Sequence, residues 1–288
     1  MTDHHDPLDA LRTPVVPVDP DPAFTARLRT LLESAVLNPK GTTMNSTEPA
    51  AQVIVEENRP SEGDLVYSSL CLSDLDRAVT FYPSVLGWRL TGNDPRGRMV
   101  EGVTPPMSVR GGDSESTLFL CHAVDDVAAA VERVRAAGGE AEEPTRRPYG
   151  VVADCLDNQG MRFALVAAPR ADRGPSGQPG SGELVYLTVE VPDSRRFRDF
   201  YGAVFGWTFT PGRIDDGWGV TGITPMTGMH GGASRPTVVP MFGVRDIGAA
   251  VAAVRAGGGT ATDPERMPYG TTADCTDDQG VRFYLGQV

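Results

Sequence analysis

One stretch of this chain is written twice. The segment from Pro144 to Leu165 reads PTRRPYGVVADCLDNQGMRFAL, and 120 positions later PERMPYGTTADCTDDQGVRFYL runs from Pro264 to Leu285. Upstream, LVYSSLCLSDLDRAVTFYPSVLGW meets LVYLTVEVPDSRRFRDFYGAVFGW at a shift of 119. GVTPPMSVRGG meets GITPMTGMHGG, and VDDVAAAVERVRAAGG meets VRDIGAAVAAVRAGGG, both at a shift of 120. So many words in one order mark two copies of one module, and a fixed period is the sequence signature of a duplicated fold. The copies are expected over residues 63–167 and 183–288. A linker of Pro, Gly and Ser is expected over 168–182, where nothing can build a core. An extension over 1–62 precedes the first copy. Within it, Asp21-Pro22 can open a helix whose Phe24, Leu28, Leu31, Leu32 and Ala35 share one face, and Val53–Val55 reads as a short strand.

Each copy divides again. A strand over 65–72 leads to a helix opened by Asp74, with Ala78, Phe81, Tyr82 and Leu86 on its apolar face and Gly87 at its end. Strands are expected from Trp88, at 99–103 and at 107–109. The pattern then restarts: a strand over 117–124, a helix over 125–137 closed by Gly138-Gly139, and strands over 151–155 and 162–166. The fold class is therefore α+β. It has two β-α-β-β-β units per module, and each sheet needs helices on one face and leaves the other free to curve.

Charge and composition narrow the partners. With 288 residues, 40 % of them apolar, the chain can bury two cores. A net charge of −12 repels a phosphate backbone and argues against nucleic acid. No apolar run approaches the roughly 18 residues of a membrane span. The opening MTDHHDPLDA lacks the basic and apolar regions of a secretory leader, so a cytoplasmic setting is expected. Cys71, Cys121, Cys155 and Cys275 form no C-x-x-C pair and are expected as reduced thiols, the last two as buried packing residues. No nicotinamide or phosphate fingerprint and no Ser–His–Asp set is visible, and no cofactor is expected.

Three segments carry a family resemblance: SDLDRAVTFYPSVLGW (73–88), VDDVAAAVERVRAAGG (124–139) and DNQGMRF (157–163), each with its second copy. With them the chain from Asp64 to Val288 resembles the vicinal oxygen chelate superfamily, which includes glyoxalases, extradiol dioxygenases and bleomycin-resistance proteins. It also resembles the tandem glyoxalase-like proteins of actinobacteria. The resemblance implies two cups, each closed by a pair of β-α-β-β-β units. It further implies a divalent metal held by a histidine from the first strand of each unit and a glutamate from a last strand. In this sequence those places fall on Tyr67, Phe119 and Ala164 in the first module, and on Tyr186, Val239 and Tyr284 in the second. Phe, Val and Ala cannot ligate a metal and a neutral phenol is a poor ligand, so no metal site is expected. His122 has the strand parity opposite to Phe119 and is expected to face the helices; His230 stands where the first copy has Arg110.

Alternate residues of a strand share a face. With the vacated ligand places facing inward, the first cup collects Tyr67, Ser69, Cys71, Phe119, Cys121, Arg162 and Ala164. The second collects Tyr186, Thr188, Glu190, Val239, Met241, Arg282 and Tyr284, with Trp218 as a further wall and Tyr149 and Tyr269 at the two rims. Aromatic faces with a few polar groups suit a flat or amphipathic organic molecule, so the partner expected is a small-molecule ligand bound without metal. Two rivals stand beside this: a lyase, isomerase or dioxygenase-type enzyme with a non-standard site using Tyr, Glu190 or Arg282, and an interaction protein docking through the helix at 22–37. The paired modules fit a monomer as an internal pseudo-dimer, or a homodimer. The differences at 71 against 190 and at 164 against 284 imply that the two cups are not equivalent.

Overall fold

The computed structural model describes residues 60–113, 117–167 and 181–287. The expected helix at 22–37, the strand at 53–55 and all but the last two residues of the linker lie outside them. Among the described residues an aspartate begins each helix: α1 (Leu75–Leu86), α2 (Val127–Ala136), α3 (Ser194–Phe205) and α4 (Ile247–Ala256). Asp74, Asp126, Asp193 and Asp246 sit in extended backbone and accept from first-turn N–H groups, satisfying donors that the helix itself cannot. Gly87 and Gly206 end α1 and α3 in the left-handed conformation.

The strands of the first module are β1 (Leu65–Cys71), β2 (Leu90–Thr91), β3 (Gly97–Val100), β4 (Met107–Arg110), β5 (Thr117–Ala123), β6 (Glu140–Ala141), β7 (Thr145–Arg147), β8 (Gly150–Leu156) and β9 (Arg162–Val166). They form one mixed sheet in the order β2-β3-β4-β1-β5-β9-β8-β6, with β7 paired to β8. The second module repeats this with β10 (Leu184–Glu190), β11 (Thr208–Pro211), β12 (Gly217–Thr221), β13 (Met226–His230), β14 (Thr237–Val244), β15 (Thr260–Ala261), β16 (Glu265–Met267), β17 (Gly270–Thr276) and β18 (Arg282–Gln287). Its order is β11-β12-β13-β10-β14-β18-β17-β15, with β16 on β17. The two β-α-β-β-β units of each module are as expected; β7 and β16 are additions, too short to carry a strand pattern.

The two modules share one core, and they build it by lending each other helices. Phe81 and Tyr82 of α1 pack on Phe283 of β18 with ring centroids 6.3 and 6.2 Å apart. In return, Phe200 and Tyr201 of α3 pack on Phe163 of β9 at 6.3 and 5.9 Å. Each of these rings contributes on the order of 2–3 kcal/mol by burial, part of it against the other module. Polar contacts follow the same exchange. Gln279 accepts from the Asp74 N–H at 2.8 Å and donates to its carbonyl at 2.9 Å, and Gln159 does the same for Asp193. The repeated D-x-Q-G turn of one module thus holds the helix start of the other. Trp88 donates through Nε1 to the Gly182 carbonyl at 2.8 Å, and a Cβ at Gly182 would fall 2.6 Å from that nitrogen. Among the described residues, no helix is long and apolar enough to cross a membrane.

Candidate functional site

With the helices all on one side, the opposite face of each sheet is left as the cup, and strand register decides what it displays. In the first module Tyr67 lies opposite Cys121, Cys121 beside Ala164, and Ala164 opposite Asp154. Ser69 lies opposite Phe119 and beside Ser108. Cys121, Ala164 and Val166 form their own small apolar cluster with Tyr67 and Phe119, apart from the main core. The hydroxyls are linked: Tyr67 donates to Ser108 Oγ at 2.6 Å, and the Ser69 and Ser108 oxygens are 2.9 Å apart. Arg162 is exposed at the edge of this face, and the place that would offer it a carboxylate is Cys71.

The second cup keeps the register and changes the chemistry. Tyr186, Met241, Tyr284 and Asp274 form the corresponding row, and Thr188 lies between Gly228 and Val239. Glu190 lies beside His230. Arg282 donates through Nη1 to Glu190 Oε2 at 2.8 Å, and His230 Nε2 stands 3.8 Å from the other carboxylate oxygen. Residues separated by 40 and 92 positions thus meet because β13 and β10 run parallel side by side and β18 returns to β14. A cavity of about 350 Å³ opens on this face, lined by Val239, Asp274, Thr276, Arg282 and Tyr284 among others.

Burial controls protonation here. Desolvation raises the phenols of Tyr67, Tyr186 and Tyr284 above their ordinary range, in Tyr67 against the lowering effect of the Ser108 hydrogen bond. All three are neutral donors at physiological pH. Desolvation also pushes Cys71 up to about 11 and Cys121, Cys155 and Cys275 up to about 12, so none is a thiolate nucleophile. The hydrogen bond to Glu190 is the main cause that raises Arg282.

The residues that strand parity assigns to the two cups lie on the cup faces; Trp218 does not. Trp218 is the cross-strand partner of Met229, which is buried in the core beneath the sheet. Its ring packs against that core and carries the Arg198 guanidinium of α3 at 3.7 Å. The expectation that Trp218 walls the second cup is corrected: its register places it on the helix side. Two cup-facing carboxylates, Asp154 and Asp274, were passed over. Each precedes a buried cysteine, and that alternation is the signal for its outward direction. Tyr149 and Tyr269 are exposed in the turns before β8 and β17 and lie near enough to Tyr67 and Tyr186 to raise their phenols. His122 faces the helices, as its parity implies.

Comparison with known proteins agrees with this architecture. The family model described as Glyoxalase/Bleomycin resistance protein/Dioxygenase superfamily matches residues 65–165 and again 183–285. The chain belongs to this superfamily. Among curated relatives it is 33 % identical over 251 residues to the anthracycline biosynthesis protein DnrV of Streptomyces peucetius, covering 75 % of this chain and 90 % of the relative. DauV of Streptomyces sp. (strain C5), also an anthracycline biosynthesis protein, is 31 % identical over the same shares. Among solved structures, the Mn(II)-bound glyoxalase of Novosphingobium aromaticivorans superposes with a TM-score of 0.63 at 18 % identity, covering 79 % of this chain and 82 % of that one. The 2,2',3-trihydroxybiphenyl 1,2-dioxygenase of Sphingomonas wittichii strain RW1 gives 0.62 at 18 % identity, covering 79 % and 91 %. At such identities the shared property is the superfamily fold.

The metal implied by the superfamily does not fit the side chains of this member. Phe119, Ala164 and Val239 have no lone pair to give, and the three phenols are held protonated by burial. Among the described residues, no three His, Cys, Asp or Glu side chains gather where they could share an ion.

Proposed function

We propose that this protein binds a small planar organic molecule on its cup faces without a resident metal. The observation that carries the reading is the replacement of the ligand places by neutral phenols and apolar side chains. Donors that would grip a cation give way to aromatic faces and hydroxyls that suit a ring system bearing oxygens. The residues assigned to binding are Tyr67, Ser69, Phe119 and Arg162 in one cup, and Tyr186, Thr188, Glu190, Arg282 and Tyr284 in the other. The two anthracycline biosynthesis relatives favour a polycyclic, oxygenated aromatic among the molecules such faces accept.

The test uses 1,8-dihydroxyanthraquinone as a probe and protein purified without chelator. Metal content is measured by elemental analysis, and binding by quenching of tryptophan fluorescence before and after EDTA. Less than a tenth of a metal ion per chain and an unchanged Kd after chelation are expected. One tightly held Fe, Mn, Zn or Ni per chain, with binding lost on its removal, overturns the reading.

A further inference from the structure

We infer that the two cups have different roles: the second is the ligand cup, and the molecule it takes is neutral, flat and rich in hydrogen-bond acceptors, while the first is a closed structural copy. The inference rests on the binding reading above and narrows it to one face and one ligand chemistry.

Hydrogen-bond accounting separates the cups. In the first, Tyr67, Ser108 and Ser69 form a closed chain of hydroxyls with contacts of 2.6 and 2.9 Å, and Ser69 and Ser108 are buried. Two of the three O–H donors are used internally, the Tyr67 donor among them, and the row beside them is the apolar cluster of Cys121, Ala164, Tyr67 and Phe119. In the second, the counterpart of Ser108 is Gly228. The Tyr186 ring swings over this glycine, so that a Cβ there would fall 2.0 Å from the phenol oxygen. The Tyr186 hydroxyl has thereby lost the serine that satisfies Tyr67, and neither it nor the Thr188 hydroxyl bonds a side chain among the described residues. Both are partly accessible, so a ligand oxygen or water must complete them. A cavity of about 350 Å³ adjoins them over β15, β17 and β18; Tyr186 and Thr188 do not line it, but Val239 in its wall is the cross-strand partner of Thr188. Its volume is within the ordinary range for a small-molecule site.

Charge sets the ligand's class. Arg282 on this face is already held by Glu190 at 2.8 Å, and Asp274 lines the same cavity; at the rim, Arg213 stands over the Tyr269 ring at 5.7 Å. His230 flanks Glu190 from the opposite side. With Arg282 neutralised and a second carboxylate in the wall, the cavity itself gives no surplus positive charge to a carboxylate or phosphate. It offers phenol and hydroxyl donors beside flat apolar surface from Val239 and Met241, which fits ring carbonyls and phenolic oxygens of an uncharged aromatic.

The experiment titrates the full chain at pH 6.5 with 1,8-dihydroxyanthraquinone, and in parallel with 4,5-dihydroxyanthraquinone-2-carboxylate, and reads stoichiometry by native mass spectrometry. One neutral probe per chain is expected, with the carboxylate at least fivefold weaker. Gly228→Ser puts a Cβ where the Tyr186 hydroxyl now lies, displaces the phenol from its place over the cup, and is expected to weaken the neutral probe at least tenfold. Tyr186→Phe removes the donor without adding an atom and is expected to do the same by a smaller factor, which covers the case of a misfolded serine variant. Ser108→Ala, in the first cup, is expected to leave Kd unchanged. Two probes per chain, tighter binding of the carboxylate, or loss of affinity in Ser108→Ala alone overturns the inference while the binding reading stands. No binding of either probe to the wild type overturns both.

Discussion

Asp277→Ala is expected to lower the stability of the protein by about 4 kcal/mol. Its carboxylate is buried at 4 % exposure and accepts from the N–H groups of Gln279 and Val281 at 2.8 Å each and from the Tyr82 hydroxyl at 2.9 Å. Truncation strands two buried donors, the Val281 N–H and the Tyr82 hydroxyl, and a half-buried one, the Gln279 N–H; each buried donor costs about 1–3 kcal/mol when left unpaired. Part of this is returned, because burial holds the Asp277 carboxyl above its usual range and its removal relieves that desolvation. For an ordered body of this size, 4 kcal/mol corresponds to a fall in Tm of about 10 °C.

The variant series tells a hydrogen-bond effect from a general packing effect. Asp277→Asn keeps one acceptor oxygen for the two backbone donors and puts an NH₂ where the Tyr82 hydroxyl can accept, so less than half of the loss is expected. Asp157→Ala, the same change in the first module, is expected to cost less than Asp277→Ala. Its phenol partner Tyr201 stands at 3.4 Å rather than 2.9 Å. Because Tyr82 and Asp277 belong to different modules, thermal unfolding is expected as one transition that moves as a whole. Asp277→Ala melting within about 1 kcal/mol of wild type, or only half of the signal shifting, sinks this account.

Much of this arrangement was legible along the chain, and what was hidden has a common cause. The repeat places the modules, Asp74 marks the start of the first helix, and the second, expected from 125, begins at Val127 behind its cap Asp126. Strand parity sorts His122 from Phe119 and puts Tyr186, Thr188 and Glu190 on one face. Parity within a strand says only which residues share a side; which side that is depends on the neighbouring strand. Trp218 has no counterpart in the first copy and takes its direction from its pairing with Met229, a long-range register. The meeting of His230, Glu190 and Arg282 needs the sheet order itself. Exchange of helices between modules leaves no local mark, because a ring that packs on a distant sheet has the same spacing as one that packs on its own.

The repeat, once the register is known, also shows what divergence does. The places that hold the modules together, Tyr82 and Tyr201, Asp157 and Asp277, Gln159 and Gln279, are kept in both copies. The cup places are not: Cys71 meets Glu190, Ser108 meets Gly228, and Ala164 meets Tyr284. Stability asks for the same contact on both sides of the pseudo-twofold relation, whereas a ligand asks only for one cup. Freedom at the cup of the other copy is what that difference predicts.

One departure from symmetry lies in the core and sets the second large effect. His122 occupies the place of Phe242 and is buried among Phe163, Phe205 and Trp207. Its Nδ1 donates to the Gly63 carbonyl at 2.9 Å. In the other module the matching carbonyl, of Gly182, is taken by Trp88. With Gly63 occupied by the histidine, Trp207 Nε1 is left without a hydrogen-bond partner among the described residues. Desolvation lowers the His122 pKa from 6.5 to about 4, so the folded protein holds the ring neutral where the unfolded chain protonates it. The sign follows. Above pH 6.5 neither state is charged and there is no penalty. Between 6.5 and 4 the unfolded state binds a proton that the native state refuses, and stability falls as pH falls. Below about 4 both bind it and the loss levels off at about 3 kcal/mol. His122→Phe removes this titration, frees the Gly63 carbonyl for Trp207, and finds room in an adjoining void of about 20 Å³ lined by His122 and Trp207. Near pH 7.5 the variant is expected within about 1 kcal/mol of wild type, the small balance of added ring volume against a regained hydrogen bond. At pH 4.5 it is expected to be more stable by about 2–3 kcal/mol, read from urea midpoints at equal slope. Parallel pH dependences for the two proteins sink the assignment of this acid sensitivity to His122.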